Sequence, residues 1–228
     1  MCMPKLRNLS SRVIVGLTGR SAKQVILKIK EADELSIKEA GLFLEHNTFN
    51  ERVKIYSALR KSKIKKIPLV HIKNDMRKWE LEYLENEYRP KYLTIHENSF
   101  KYMEKWTGYH KKLFLEMNFD NKVSNLVKLN KVGGFCIDLS HFKSSEERWT
   151  SDFEYVVKNS TKKRPLCNHL NGYTWKGKKD IHRVSNIKQF EYLKTLPSFV
   201  FGEKIALELF NPIKQQLKFK KHIVNMLN

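Results

Sequence analysis

What most restricts this chain is the alternation of short, nearly unbroken apolar runs with amphipathic stretches along its 228 residues. The runs occupy 12–19, 41–47, 67–74, 92–98, 113–119, 134–141, 165–172 and 204–211, as in "RVIVGLTG", "IPLVHIKN" and "GFCIDLSH". Continuous apolarity over so few residues suits parallel strands buried on both faces; a half-exposed strand would alternate. Between the runs lie Lys-, Glu- and Leu-rich segments with helical periodicity, at 21–32, 51–62, 76–88, 145–160, 187–196 and 213–227. Eight strand–helix units of about 28 residues each are lean but sufficient for an α/β fold of the (β/α)8 TIM-barrel type. An open doubly wound sheet would give the same alternation. Its usual marks, a GxGxxG turn after the first strand or a GxxxxGK[ST] loop, are missing. No Pro/Gly/Ser-rich linker interrupts the pattern, so one barrel domain over 1–228 is expected.

In a barrel, chemistry sits at the carboxyl ends of the strands. The polar residues ending the third to eighth runs are His71, His96, Glu116, Asp138, His169 and Glu208. His141 follows Asp138 by three. Asp180 and His182 are spaced i, i+2, which in extended backbone puts both side chains on one face. Imidazole and carboxylate together suit Zn²⁺, Mn²⁺ or Fe²⁺ better than Mg²⁺ or Ca²⁺, which prefer all-oxygen shells. Taken singly, each residue has an ordinary explanation. A histidine ending a strand is usually a satisfied interior residue, and Asp138 reads equally well as the N-cap of the next helix. The coincidence favours a joint site: five of eight histidines (71, 96, 141, 169, 182) fall at or just past strand ends. His46, His110 and His222 read as structural, although His46 also ends a run.

Charge is the compositional outlier, with 44 Lys+Arg against 24 Asp+Glu, a net +20. That balance favours a polyanionic partner such as nucleic acid. Lys162, Lys163, Arg164, Lys176, Lys178, Lys179 and Arg183 crowd one stretch, interrupted by Tyr173 and Trp175. Cations for phosphates beside aromatics that can stack on bases make a candidate nucleic-acid contact; a solvated Lys-rich loop is the plainer alternative. Cys2, Cys136 and Cys167 are too scattered for a disulfide framework and read as free thiols of a reducing compartment. The N-terminus lacks a signal-peptide apolar core, and no apolar run approaches the ~20 residues of a membrane span. A soluble cytoplasmic protein, monomeric and without a membrane partner, is expected.

The ordered set His71, His96, Glu116, Asp138-x-x-His141, His169, Asp180-x-His182, Glu208 resembles the xylose isomerase-like barrel superfamily, and within it the endonuclease IV family of abasic-site nucleases. The resemblance runs from about residue 67 to 211 and implies up to three divalent metals, with zinc the expectation. His71, His96 and Glu116 would hold one, and Glu116, Asp138, His169 and Glu208 a second. His141, Asp180 and His182 would hold the third. It implies that the first two strands add fold but no ligands, that Glu116 and Glu208 carry the catalytic role, and that damaged duplex DNA is the substrate. The segments after the first strands are brief for that family, and its longer signatures are missing around Asp138 and His169. The same superfamily includes sugar and sugar-phosphate isomerases or epimerases. These need only Glu116, Asp138, His169 and Glu208 around one metal, with two glutamates as acid and base. A small phosphorylated sugar is therefore the alternative substrate, and a barrel that only binds nucleic acid or metal a third possibility.

Overall fold

The computed structural model describes residues 8–160 and 166–228. Its strands are β1 (Val13–Ile14), β2 (Gly16–Leu17), β3 (Gly41–Phe43), β4 (Leu69–His71), β5 (Tyr92–His96), β6 (Leu113–Glu116), β7 (Gly134–Asp138), β8 (Leu166–Leu170), β9 (Gly172–Thr174), β10 (Lys179–Ile181) and β11 (Ile205–Leu207). All but β9 and β10 join one parallel sheet, in the order β1-β11-β8-β7-β6-β5-β4-β3-β2. The sheet begins and ends in the same stretch of chain, because β1 and β2 are halves of one strand split at Val15. It therefore wraps into a nearly closed barrel with eight strand positions, the TIM-barrel-like architecture expected from the sequence. Gly16 sits where the ring closes: a Cβ there would lie 1.8 Å from the carbonyl oxygen of Leu207 and 3.0 Å from the Phe43 ring. No larger residue fits so close an approach of two backbones.

Helices α1 (Leu9–Arg12), α2 (Ala22–Glu34), α3 (Phe49–Arg60), α4 (Lys78–Tyr88), α5 (Leu139–Arg148), α6 (Ser151–Ser160) and α7 (Ile213–Leu227) accompany the barrel. Helical turns of the 3₁₀ type fill Glu97–Trp106 and Ile187–Thr195. Their apolar stripes bury Val25, Ile29, Ile55, Leu59, Leu81 and Ile223 against the strands. α3 starts at a capping box, in which Glu51 accepts from the Thr48 backbone N–H at 2.9 Å. Three details differ from the sequence expectation. The 134–141 run leaves extended conformation after Asp138, and His141 lies in the first turn of α5. The 145–160 segment is two helices, broken where Trp149 takes a left-handed φ of 53°. The basic stretch after β8 is an antiparallel hairpin, β9–β10, whose turn passes through Gly177 (φ 89°) and Lys178 (φ 48°).

Inside the barrel, Ile14, Phe43, Leu69, Tyr92, Phe114, Cys136, Cys167 and Ala206 form a separate apolar layer, one residue from each strand position. Side chains alternate along a strand, so the residue two further on faces the same interior one level higher. Those residues are Gly16, Glu45, His71, Thr94, Glu116, Asp138, His169 and Glu208. An apolar floor thus carries a layer that is almost wholly polar, at the carboxyl ends of the strands. Cys136 and Cys167 belong to the floor as buried free thiols; Cys2 lies outside the described residues.

Candidate metal centre

His71, Glu116, Asp138 and His169 are held on the ladder itself, in β4, β6, β7 and β8, and all are buried. His96 ends β5 and Glu208 directly follows β11. Glu116 Oε2 lies 3.1 Å from His169 Nδ1 and 3.7 Å from His71 Nε2, and His169 Nδ1 lies 3.5 Å from Glu208 Oε2. The His96 ring stands beside the His71 ring, centroids 4.9 Å apart. Four compact donor groups result, each with ligand atoms within 4.8 Å of one another: His71–Glu116–His169, Glu45–His71–Glu208, Glu116–Asp138–His141 and Asp138–His169–Glu208. His96, Asp180 and His182 stand outside these compact groups.

A second set lines the rim. Asp180 in β10 reaches His141 Nε2 at 3.6 Å and His182 Nε2 at 3.0 Å, so the i, i+2 pair shares one side as expected. His182 Nδ1 lies 3.1 Å from the backbone carbonyl of Glu208, which can take its proton and leave Nε2 free as a ligand atom. Thr94 Oγ1, 3.2 Å from His169 Nε2, does the same for His169. Asp138 answers both readings of its position. Its Oδ1 caps α5 by accepting from the His141 backbone N–H at 2.9 Å and the Ser140 hydroxyl at 2.7 Å. Its Oδ2 accepts from Asn171 Nδ2 at 2.7 Å and lies 3.9 Å from His141 Nδ1. The cap and the site use different oxygens.

Buried polar atoms nearly always have hydrogen-bond partners. Here both nitrogens of His71, Nδ1 of His96, His141 and His169, and an oxygen each of Glu45 and Glu116 are buried without one. These are atoms that a bound cation would satisfy, and the mixed imidazole–carboxylate set fits Zn²⁺, Mn²⁺ or Fe²⁺. The electrostatics of this layer favour positive charge. Burial, reinforced by neighbouring carboxylates, pushes Glu45 up to about 8 and Glu208 up to about 7. Burial opposes the charge on His141 and His182, yet Asp138 and Asp180 raise His141 to about 10, and Asp180 with Glu208 raises His182 to about 9. Hydrogen bonds from both histidines hold Asp180 well below the usual carboxylate range.

Three contributors were not legible as site residues. Glu45 lies two residues past Phe43 and so occupies the second strand's place in the polar layer, a place to which the sequence reading gave no site residue. Asn171, two past His169, binds Asp138; Thr94, two past Tyr92, binds His169. The same two-residue register was the available signal for all three.

The basic stretch divides. Lys176, Lys178, Lys179 and Arg183 are exposed beside the rim, as is Trp175, with Lys143 Nζ 5.5 Å from its ring. Tyr173 is not available for stacking: it is 1% exposed, packs on Tyr192 and donates its hydroxyl to Glu147 at 3.0 Å. Strand β9 turns it inward, which a Tyr in a lysine-rich run does not announce. Lys162, Lys163 and Arg164 lie outside the described residues. A cleft of about 580 Å³ adjoins the rim at His182, with Thr18, Arg20, Lys28, Arg183 and Phe210 in its wall. Among the described residues no helix is long and apolar enough to cross a membrane. No protein-family model matches the chain and no curated protein matches it in sequence, so any assignment of function rests on these residues.

Proposed function

We propose that this chain is a metal-dependent phosphodiester hydrolase of the endonuclease IV kind, acting on DNA at abasic or damaged sites. The observation that carries the proposal is the assembly of His141, Asp180 and His182 at the rim, beside the layer containing His71, Glu116, Asp138, His169 and Glu208. An isomerase centre has no use for the rim set; a phosphodiesterase needs charge neutralised on both sides of the phosphorus.

Glu116 Oε2 faces His71 and His169 at once, so Glu116 would serve as a ligand beside either histidine. Asp138, His169 and Glu208 would hold the inner cation, and Asp180 with His141 and His182 would hold another at the rim. When bound, divalent cations in such a cluster lower the pKa of coordinated water toward ~7 and offset charge on the attacking and leaving oxygens. The chain's own residues do the rest. Lys176, Lys178, Lys179 and Arg183 offer phosphate contacts next to the rim, and Trp175 offers an exposed ring to a base.

Metal content tests the cluster. After reconstitution with Zn²⁺ and removal of the excess, elemental analysis should find three equivalents per chain, and two in His182→Ala. A single equivalent unaffected by His182→Ala would point instead to a sugar isomerase or epimerase.

A further inference from the structure

The nine residues that resemble the nuclease set leave one carboxylate of the polar layer, Glu45, without a task. Glu45 belongs there by register, two residues past Phe43 just as His71 is two past Leu69 and Glu116 two past Phe114. Its side chain is 15% exposed, its Oε2 is buried with no hydrogen-bond partner, and that oxygen lies 3.6 Å from His71 Nδ1. Its other oxygen is engaged, 3.3 Å from His46 Nε2. His71 is thus flanked on both edges, Nε2 facing Glu116 at 3.7 Å and Nδ1 facing Glu45, with neither nitrogen hydrogen-bonded.

Resting on the metal-centre reading above, we infer that Glu45 is a positioning residue for the cluster, accepting the Nδ1 proton of His71 and so presenting Nε2 to a cation shared with Glu116. The physical reason is the tautomer. An imidazole ligates through a nitrogen that carries no proton, so its single proton must sit on the other ring nitrogen, and a carboxylate there fixes the ring's orientation and raises its basicity. Glu208 lies within the same compact group, but its Oε2 is 3.5 Å from His169 and it already serves the inner position. A direct Glu45–cation bond is the competing arrangement, and the tests below separate the two.

The test compares wild type with Glu45→Ala and Glu45→Gln, using Zn²⁺ in competition with a chromophoric chelator and Co²⁺ for its ligand-field spectrum. Outer-shell partners of this kind typically change metal affinity about 10–100-fold. Glu45→Ala should weaken one equivalent by about that factor and shift the Co²⁺ bands, leaving the other equivalents in place. Glu45→Gln keeps an amide oxygen that can accept the Nδ1 proton, so it should restore most of the affinity and the wild-type spectrum. After chelation, both variants should melt close to wild type, because the desolvation cost of the Glu45 carboxylate offsets its contacts with His46 and His71. A merely structural role would instead lower the melting temperature of the metal-free protein. The inference is overturned if Glu45→Ala binds every equivalent as wild type does, or if Glu45→Gln is as impaired as Glu45→Ala, the mark of direct ligation. Either result leaves the metal centre standing; a wild-type chain that takes up no metal removes both.

Discussion

Asp138 gives the sharpest separation of folding from metal binding, because its two oxygens do different work. In Asp138→Asn the amide oxygen can keep the α5 cap, since Asn caps as well as Asp. The amide NH₂ then meets Asn171 Nδ2, donor against donor. Asn171 Oδ1 is buried and unpartnered, so rotating that amide presents an acceptor and restores the contact. The remaining loss, charge-assisted bonds becoming neutral ones, should cost about 1 kcal/mol in the metal-free protein. For a chain of this size that is a fall of about 2–4 °C in melting temperature. Asp138→Ala removes the cap, worth about 1 kcal/mol, and strands the Ser140 hydroxyl at about 1–3 kcal/mol, while Asn171 Nδ2 keeps only its contact with Glu208 Oε2 at 3.5 Å. It should melt about 10 °C lower. Metal separates the variants further. Zinc at 100 times its dissociation constant stabilises the folded state by about 2.7 kcal/mol per site, or about 5–10 °C here. Wild type should show at least that rise on adding Zn²⁺ to chelated protein, followed by far-UV circular dichroism. Asp138→Asn should lose the share owed to the inner position. If it shows the full wild-type rise, Asp138 is a helix cap and nothing more.

Other outcomes follow from the same interactions. Loading metal must expel protons that Glu208, His141 and His182 hold at about 7, 10 and 9, so Zn²⁺ affinity should climb from pH 6 to 9 with measurable proton release; a flat profile contradicts the ligand set. Lys28 donates to the Leu209 carbonyl from a site where burial holds it down to about 7. Its folded value lies below the unfolded one, so stability falls as pH drops from about 10.5 to about 7 and stays at its lowest below that. Lys28→Met should therefore raise the urea midpoint at pH 6, by about 1–4 kcal/mol in stability, and flatten the pH dependence. Arg52 is fully buried and forks onto Glu80 at 2.8 and 3.0 Å, joining α3 to α4. Arg52→Ala should cost about 3–5 kcal/mol by leaving the buried Glu80 without its cation, with only the Tyr56 hydroxyl and the Arg77 N–H still donating to it, read from denaturant melts. Replacing Lys176, Lys178 and Lys179 with Ala should reduce the salt dependence of duplex binding by about 2.7 in log–log slope, if all three contact phosphates.

The barrel was legible because burial on both faces forces strands such as "GFCID" and "YLTIH" to be apolar throughout, and nothing else in the chain reads that way. The candidate ligands were legible where a charged or imidazole residue abruptly ends such a run, as Asp138 and His169 do. Glu45 was not legible because it lies inside the 41–47 run, one residue before the more conspicuous His46, and nothing in the sequence marks the inward register that reaches it two residues past Phe43. The β9–β10 hairpin was not legible because its strands are only three residues long, too short for a period to show, and the turn between them carries the lysines. Tyr173 followed from that miss: with no strand recognised, nothing indicated which way its side chain would turn. Helix α5 beginning at Leu139 was hidden because Leu139 prolongs the apolar run past Asp138, which carried the strand expectation three residues too far, to His141.

Strand scission tests the central claim most directly. The zinc-loaded chain, and separately the manganese- and iron-loaded chain, would be incubated with a duplex carrying one abasic site and with an intact duplex of the same sequence. The account predicts a nick at the lesion, lost on chelation and in His182→Ala, with the intact duplex spared. No cleavage of either duplex with any of the three metals, alongside a sugar-epimerising activity that His182→Ala leaves unharmed, would contradict it.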